Sequence, residues 1–90
     1  MDGSFFEVGQ NYLIRTVTMI LTGRVVGLNG QEVLLADAAW IPDTGRWADA
    51  LLDSAKHLEV EPYPPGRTVI VGRGALIDAT PIDTLPTVQK

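Results

Sequence analysis

The stretch TVIVGRGALIDAT, Thr68 to Thr80, decides how this chain is read. An apolar run, Val69 to Val71, enters Gly72, Arg73 and Gly74 and resumes as Ala75, Leu76 and Ile77. Three structures fit such a run: a phosphate-cradling loop, a bend in a β-barrel, or half of a nucleic-acid pocket. A dinucleotide fingerprint needs a third glycine, a following helix and an acidic residue about 20 positions on. After Gly74 the chain has instead a strand-like start and two prolines, Pro81 and Pro86. A Walker loop needs Gly-Lys-Ser or Gly-Lys-Thr, and neither occurs. The glycines are therefore read as corner residues between two strands, Thr68 to Val71 and Leu76 to Thr80, placed there for backbone shape with Arg73 between them.

Upstream, Tyr12 to Leu21 alternates, with Leu13, Val17, Met19 and Leu21 on one face and Thr16, Thr18 and Thr22 on the other. That period of two predicts a first, half-buried strand. Thr22-Gly23-Arg24 is expected to turn a tight corner into a second strand at Val25 and Val26. Asn29-Gly30 then supplies the two positive-φ positions of a two-residue hairpin. A third strand follows from Glu32 to Ile41, stopped by Pro42. Asp43 or Thr44 caps a helix over Trp47 to His57, whose Trp47, Ala50, Leu51 and Ala55, continued by Leu58, recur every three or four positions. LEVEPYPPG, Leu58 to Gly66, allows at most a short edge strand and a turn, and Pro81 to Lys90 reads as an extended, mobile tail.

The sum is an all-β fold with one helical insertion, a small, strongly bent five-stranded barrel. It forms one domain: an N-terminal segment at 1–11, strands one to three in 12–41, the insertion and turn in 42–66, strands four and five in 67–80, and the tail in 81–90.

Ninety residues with 46% hydrophobic and 20% charged side chains describe one small globular core. A chain this short buries only about 60% of the surface it exposes when unfolded, which favours self-association. The net charge of −4 argues against a protein that coats nucleic acid non-specifically, since that affinity comes from neutralising phosphates. With no cysteine there are no disulfides or thiolate metal sites. Arg15 interrupts the apolar run that follows Phe5 and Phe6 and no basic stretch precedes those two residues, so the reading is a soluble, cytoplasmic protein without a membrane span.

Catalytic chemistry finds no foothold, and no cofactor or metal is expected. His57 is the single histidine, placed at the end of the predicted helix, where an imidazole caps carbonyls or meets solvent. Glu59 and Glu61 share a strand face without a partner near in sequence. Trp40 and Trp47 are expected to pack the insertion against the barrel.

Two segments resemble the Sm and Sm-like (LSm) family. VTMILTGRVVGLNGQEVLLADA, Val17 to Ala38, is similar to the first Sm motif: an apolar strand, Gly23, hydrophobics, a polar turn at Asn29, then hydrophobics ending in Asp37 and Ala38. VIVGRGALIDA, Val69 to Ala79, is similar to the second, where an apolar strand meets Arg-Gly and a final strand leaves. The insertion falls where the family has its most variable loop, and so divergent a member suits a bacterial or phage genome.

The resemblance implies a bent barrel whose copies join edge to edge in a homo-oligomeric ring of about five to seven subunits that binds RNA or single-stranded nucleic acid. It further implies a base pocket with Arg73 as the basic partner, Asn29 and Gln31 as hydrogen-bonding groups and Gly74 beside them. The turn departs from the family pattern: it is one residue short, Gln31 or Glu32 stands in the base-reading position, no aromatic is present, and Ala75 follows Arg-Gly. The alternative is a structural or adaptor ring that has lost the pocket and binds another protein through the Trp47 helix or the Pro-rich tail.

Overall fold

Thr16 ends the alternation that the sequence carries through Tyr12 to Leu21. Its amide donates to the Met19 carbonyl at 2.8 Å. Its hydroxyl donates to the same carbonyl at 2.9 Å and accepts from the Met19 amide at 3.0 Å. One threonine thus closes a turn at Val17-Thr18 that contains no glycine, proline or asparagine. Two strands result, β1 (Asn11–Thr16) and β2 (Ile20–Leu28), paired antiparallel from Asn11–Arg24 to Arg15–Ile20. The corner expected at Thr22-Gly23-Arg24 is a bend inside β2. These relations come from a computed structural model that describes residues 4–90; Met1 to Gly3, the start of the expected segment 1–11, lie outside the described residues.

The remaining elements are β3 (Glu32–Asp43), α1 (Trp47–Leu52), a 3-10 turn (Ser54–Lys56), β4 (Glu59–Pro62), β5 (Thr68–Gly72), a second 3-10 turn (Arg73–Ala75) and β6 (Leu76–Pro81). The architecture is a mostly-β domain: one six-stranded antiparallel sheet and one short helix, in place of five strands closed as a barrel. Its order is β4-β3-β2-β1-β6, with β5 also pairing with β3. The long β3 is shared along its outer side, Glu32 to Ala36 facing β5 and Ala39 to Asp43 facing β4.

The sheet is curled by extra residues in its strands. Between Arg24–Ala36 and Thr22–Ala39, β3 has one residue more than β2, and there Asp37 takes φ of 51°, the left-handed region. Arg24 donates to the Asp37 carboxylate at 2.6 Å across the bulge. Opposite it, a Cβ on Gly23 would meet the Leu35 Cβ at 3.0 Å, so close approach of β2 and β3 requires glycine there. Pro42 lies in a further irregularity, between Trp40 and Asp43 in the β3–β4 ladder, where a missing N–H is tolerated; β3 therefore continues to Asp43. The order of strands fixes the consequence. Flat, β5 and β6 would stand four strand spacings, about 19 Å, apart. Only the Arg73–Ala75 turn joins them, about 6 Å of rise, so the sheet's two flanks curl toward each other.

Curling encloses the main core of Tyr12, Ile14, Leu21, Val25, Val33, Leu35, Ala38 and Val71. Register places Leu13, Thr22 and Ala39 in one row on the other face. Val17, expected inside, is exposed in the turn, and Thr22, expected outside, is buried. Ala39, Ile41 and Val60 form a second cluster. Each fully buried aliphatic side chain contributes about 1.5–3 kcal/mol, so a domain this small depends on nearly all of them.

The insertion and tail differ from expectation. The helix predicted over Trp47 to His57 stops at Leu52, because Asp53 turns extended (φ −149°) and its carboxylate caps Ala55 of the following 3-10 turn. The N-cap is Arg46, without a side-chain bond; Asp43 binds the Gly45 amide instead, at 2.9 Å. His57 is completely buried, its Nε2 donating to the Ala50 carbonyl at 3.0 Å, so it closes the insertion from inside. The tail is held at both ends. Ile82 is buried and donates to the Asn11 carbonyl, and Lys90 exchanges two backbone hydrogen bonds with Val60 of β4. Lys90 Nζ also donates to the carbonyls of Ala55 (2.7 Å) and His57 (2.9 Å).

Candidate nucleic-acid interface

Asn29 shapes the β2–β3 turn with its side chain. Its Oδ1 accepts from the amides of Gln31 and Glu32, both at 2.7 Å, and its amide donates to the Glu32 carbonyl at 3.1 Å. This is an Asx turn. Neither Asn29 nor Gly30 has positive φ, so the expected two-residue hairpin gives way to a wider loop held by the carboxamide.

The sheet brings this loop against the Arg73 turn. Glu32 pairs with Gly72, and the Arg73 amide donates to the Gln31 carbonyl at 2.9 Å. Asn29, Gln31, Arg73 and Gly74, named from two distant segments, therefore meet at one end of the molecule. Arg73 opens the 3-10 turn and is half-buried, whereas Gln31 and Gly74 are exposed. The Gln31 carboxamide has no partner among the described residues and is available to a ligand. Asn29 is less so: Oδ1 is engaged by two amides and Nδ2 donates to Glu32 Oε1 at 3.3 Å.

Gly72 and Gly74 do not play the role assigned to them. Neither has positive φ, and a Cβ on either would meet nothing within 4 Å. Backbone shape does not require glycine at these sites.

A shallow cleft of about 270 Å³ opens beside the loop, lined by Gly27, Leu28, Asn29, Glu32, Leu34 and Ile70. Arg73 does not line it. The chemistry at this end is a guanidinium, a free carboxamide and an apolar hollow, with the Glu32 carboxylate opposing any phosphate at close range. Among the described residues, no group of three or more His, Asp or Glu side chains could hold a metal ion, and no helix is long and apolar enough to cross a membrane.

A second polar and aromatic cluster went unread in the sequence. Arg15 Nε donates to Asp78 Oδ1 at 2.8 Å and Nη2 to Oδ2, while the guanidinium lies 5.3 Å from the centre of the Trp47 ring. Hydrogen bonding from Arg15 holds the Asp78 carboxyl below its ordinary range, and the same bond raises the arginine. Trp40 and Trp47, expected to be packing residues, remain 41% and 40% exposed. The available signal was Arg15 itself, a charge interrupting an apolar run, but its partners come from two other elements. Compared with known protein families, with curated proteins and with solved structures, the chain finds no match.

Proposed function

We propose that this chain is a non-catalytic, Sm-like subunit that assembles into a homo-oligomeric ring and binds RNA or single-stranded nucleic acid at the Arg73 turn. The observation that carries the reading is the hydrogen bond from the Arg73 amide to the Gln31 carbonyl. It unites the two segments whose resemblance to the Sm motifs was independent in sequence. Strand order supports the fold part, since the penultimate strand leaves one flank of the curled sheet through Arg73 and the last strand reaches the other. Assembly is supported by the outer edges of β5 and β6, each paired on one side only among the described residues.

Ring symmetry gives the site its charge. One Arg73 per copy gathered around an axis makes a local positive patch on an acidic particle, which a single chain of net charge −4 lacks. Short U-rich and A-rich RNAs, titrated at low and moderate salt, test this. Wild type should bind saturably with affinity falling as salt rises, and Arg73→Ala should abolish it. Absence of saturable binding by wild type overturns the reading; binding that survives Arg73→Ala relocates the site. Light scattering should give a mass several times 9.7 kDa, and a monomer removes the ring. The adaptor reading draws on the exposed Trp47 and Leu52 of α1.

A further inference from the structure

The register Ile14–Leu21–Trp40 puts Trp40 on the core face of the sheet, but beyond the end of the enclosed core. Its indole forms one wall of a cleft of about 420 Å³ whose other lining includes Arg15, Thr18, Met19, Pro42 and Ile77. That volume lies within the range of small-ligand sites, about 300–1,000 Å³. An apolar floor, one broad ring and a planar cation at the rim suit a flat heteroaromatic group.

Arg15 is set in advance for such a partner. Its Cζ lies over the Trp47 ring at 5.3 Å and Asp78 occupies Nε and Nη2, so the fork is fixed before anything binds. Its Nη1 has no partner among the described residues. Because Asp78 balances its charge, Arg15 offers a donor and a stacking plane more than an attraction for phosphate.

The cleft also continues the Arg73 end. Val17 donates to the Ala75 carbonyl at 2.9 Å, which seats the β1–β2 turn against the 3-10 turn that begins at Arg73. Thr18 of that same turn lines the cleft. Arg73 and Arg15 thus lie on elements that meet at one turn. We propose that the Trp40–Arg15 cleft takes an unstacked base of single-stranded nucleic acid whose neighbouring nucleotides lie at Arg73; the inference rests on the nucleic-acid reading above.

The two tryptophans of the chain allow a direct test. In a Trp47→Phe background, which keeps a ring beneath Arg15, Trp40 is the single indole reporter. A hexanucleotide of adenosines should quench its emission, and Arg73→Ala should remove binding and quenching together. By anisotropy of a labelled hexanucleotide, Trp40→Ala should weaken binding about 10- to 100-fold, the equivalent of one stacked base, and Trp40→Phe should recover most of it. Binding with Trp40 emission unchanged and Trp40→Ala equal to wild type overturns the cleft and leaves the Arg73 site standing. No binding by any of the proteins removes the nucleic-acid reading as a whole. Quenching by a proline-rich decapeptide without quenching by the hexanucleotide also overturns the inference, in favour of a peptide groove.

Discussion

The outer side of β3 supports two strands whose own outer edges are treated in opposite ways. β4 presents Glu59 and Glu61 to solvent, and the tail lies along it: Lys90 pairs with Val60, and Gln89 Nε2 donates to Glu61 at 3.3 Å. Among the described residues β5 has neither protection, and its Ile70 stands 65% exposed beside an apolar cleft. Unpaired edges invite association, and proteins blunt them with charge or cover. Here the chain closes one edge with Gln89 and Lys90 at the end of its tail and, among the described residues, leaves its neighbour open. Under the ring reading proposed above, β5 is the edge that would join a second copy of the chain.

The largest expected effect comes from giving β5 the character of β4. Ile70→Lys should reduce the proposed ring, by light scattering, to single chains of 9.7 kDa while the circular dichroism of the sheet persists. An unchanged mass would show that association uses another surface, and the contrast between the edges would lose its meaning.

Both edges depend on the bend in β3, so the next test disturbs them together. Gly23→Ala brings a Cβ to 3.0 Å from Leu35 Cβ, and overpacking of this kind costs about 1–3 kcal/mol in denaturant unfolding. Gly74→Ala, which meets nothing within 4 Å, should be within a few tenths of wild type. Equal effects would refute the assignment of the bend to Gly23.

Opening the protected edge is milder. Lys90→Ala removes the two Nζ hydrogen bonds to Ala55 and His57 and should cost about 1 kcal/mol. Amide exchange at Val60 should accelerate, while that at Val71, on the β5 side, should not change.

The smallest effect concerns β6. Asp78 titrates below its ordinary range in the folded state because Arg15 donates to it. A depressed carboxylate stabilises the fold above its unfolded pKa, and that contribution is lost as pH falls through the folded value. Asp78→Asn should therefore lower the urea midpoint slightly at pH 7 and converge with wild type in strong acid. The pair is solvent-exposed, so the difference should be small throughout. A difference that grows on acidification contradicts the pairing.

Legibility followed the range of the interactions. β5, β6 and the Arg73 corner could be read because apolar runs and glycines announce them locally. The β1–β2 turn could not, since Thr16 makes it with a hydroxyl while the apolar alternation runs on through Val17 and Met19. Asn29 was recognised as a turn residue, but its carboxamide does the work that positive φ was expected to do. The candidate site came from resemblance at two distant segments, and their contact is a property of register. The Trp40–Arg15 cleft draws on β1, β3 and β6, which no local pattern connects. The reach of the tail to β4 was equally hidden, because extended residues show no periodicity until something pairs with them.

The pairing of β1 with β6 also sets the order in which the molecule can form. Tyr12 finds Pro81, and Leu13 finds Thr80, only across nearly the whole chain. Hairpins between β1, β2 and β3 close short loops and can form early, on microsecond timescales. The β1–β6 ladder must close a long loop, which slows folding in proportion to the entropy surrendered. During synthesis, the edge of β1 stays uncovered until residues 76–81 have left the ribosome. For that interval the nascent chain carries a sticky central strand, and speed of completion, more than final stability, governs whether it folds or aggregates.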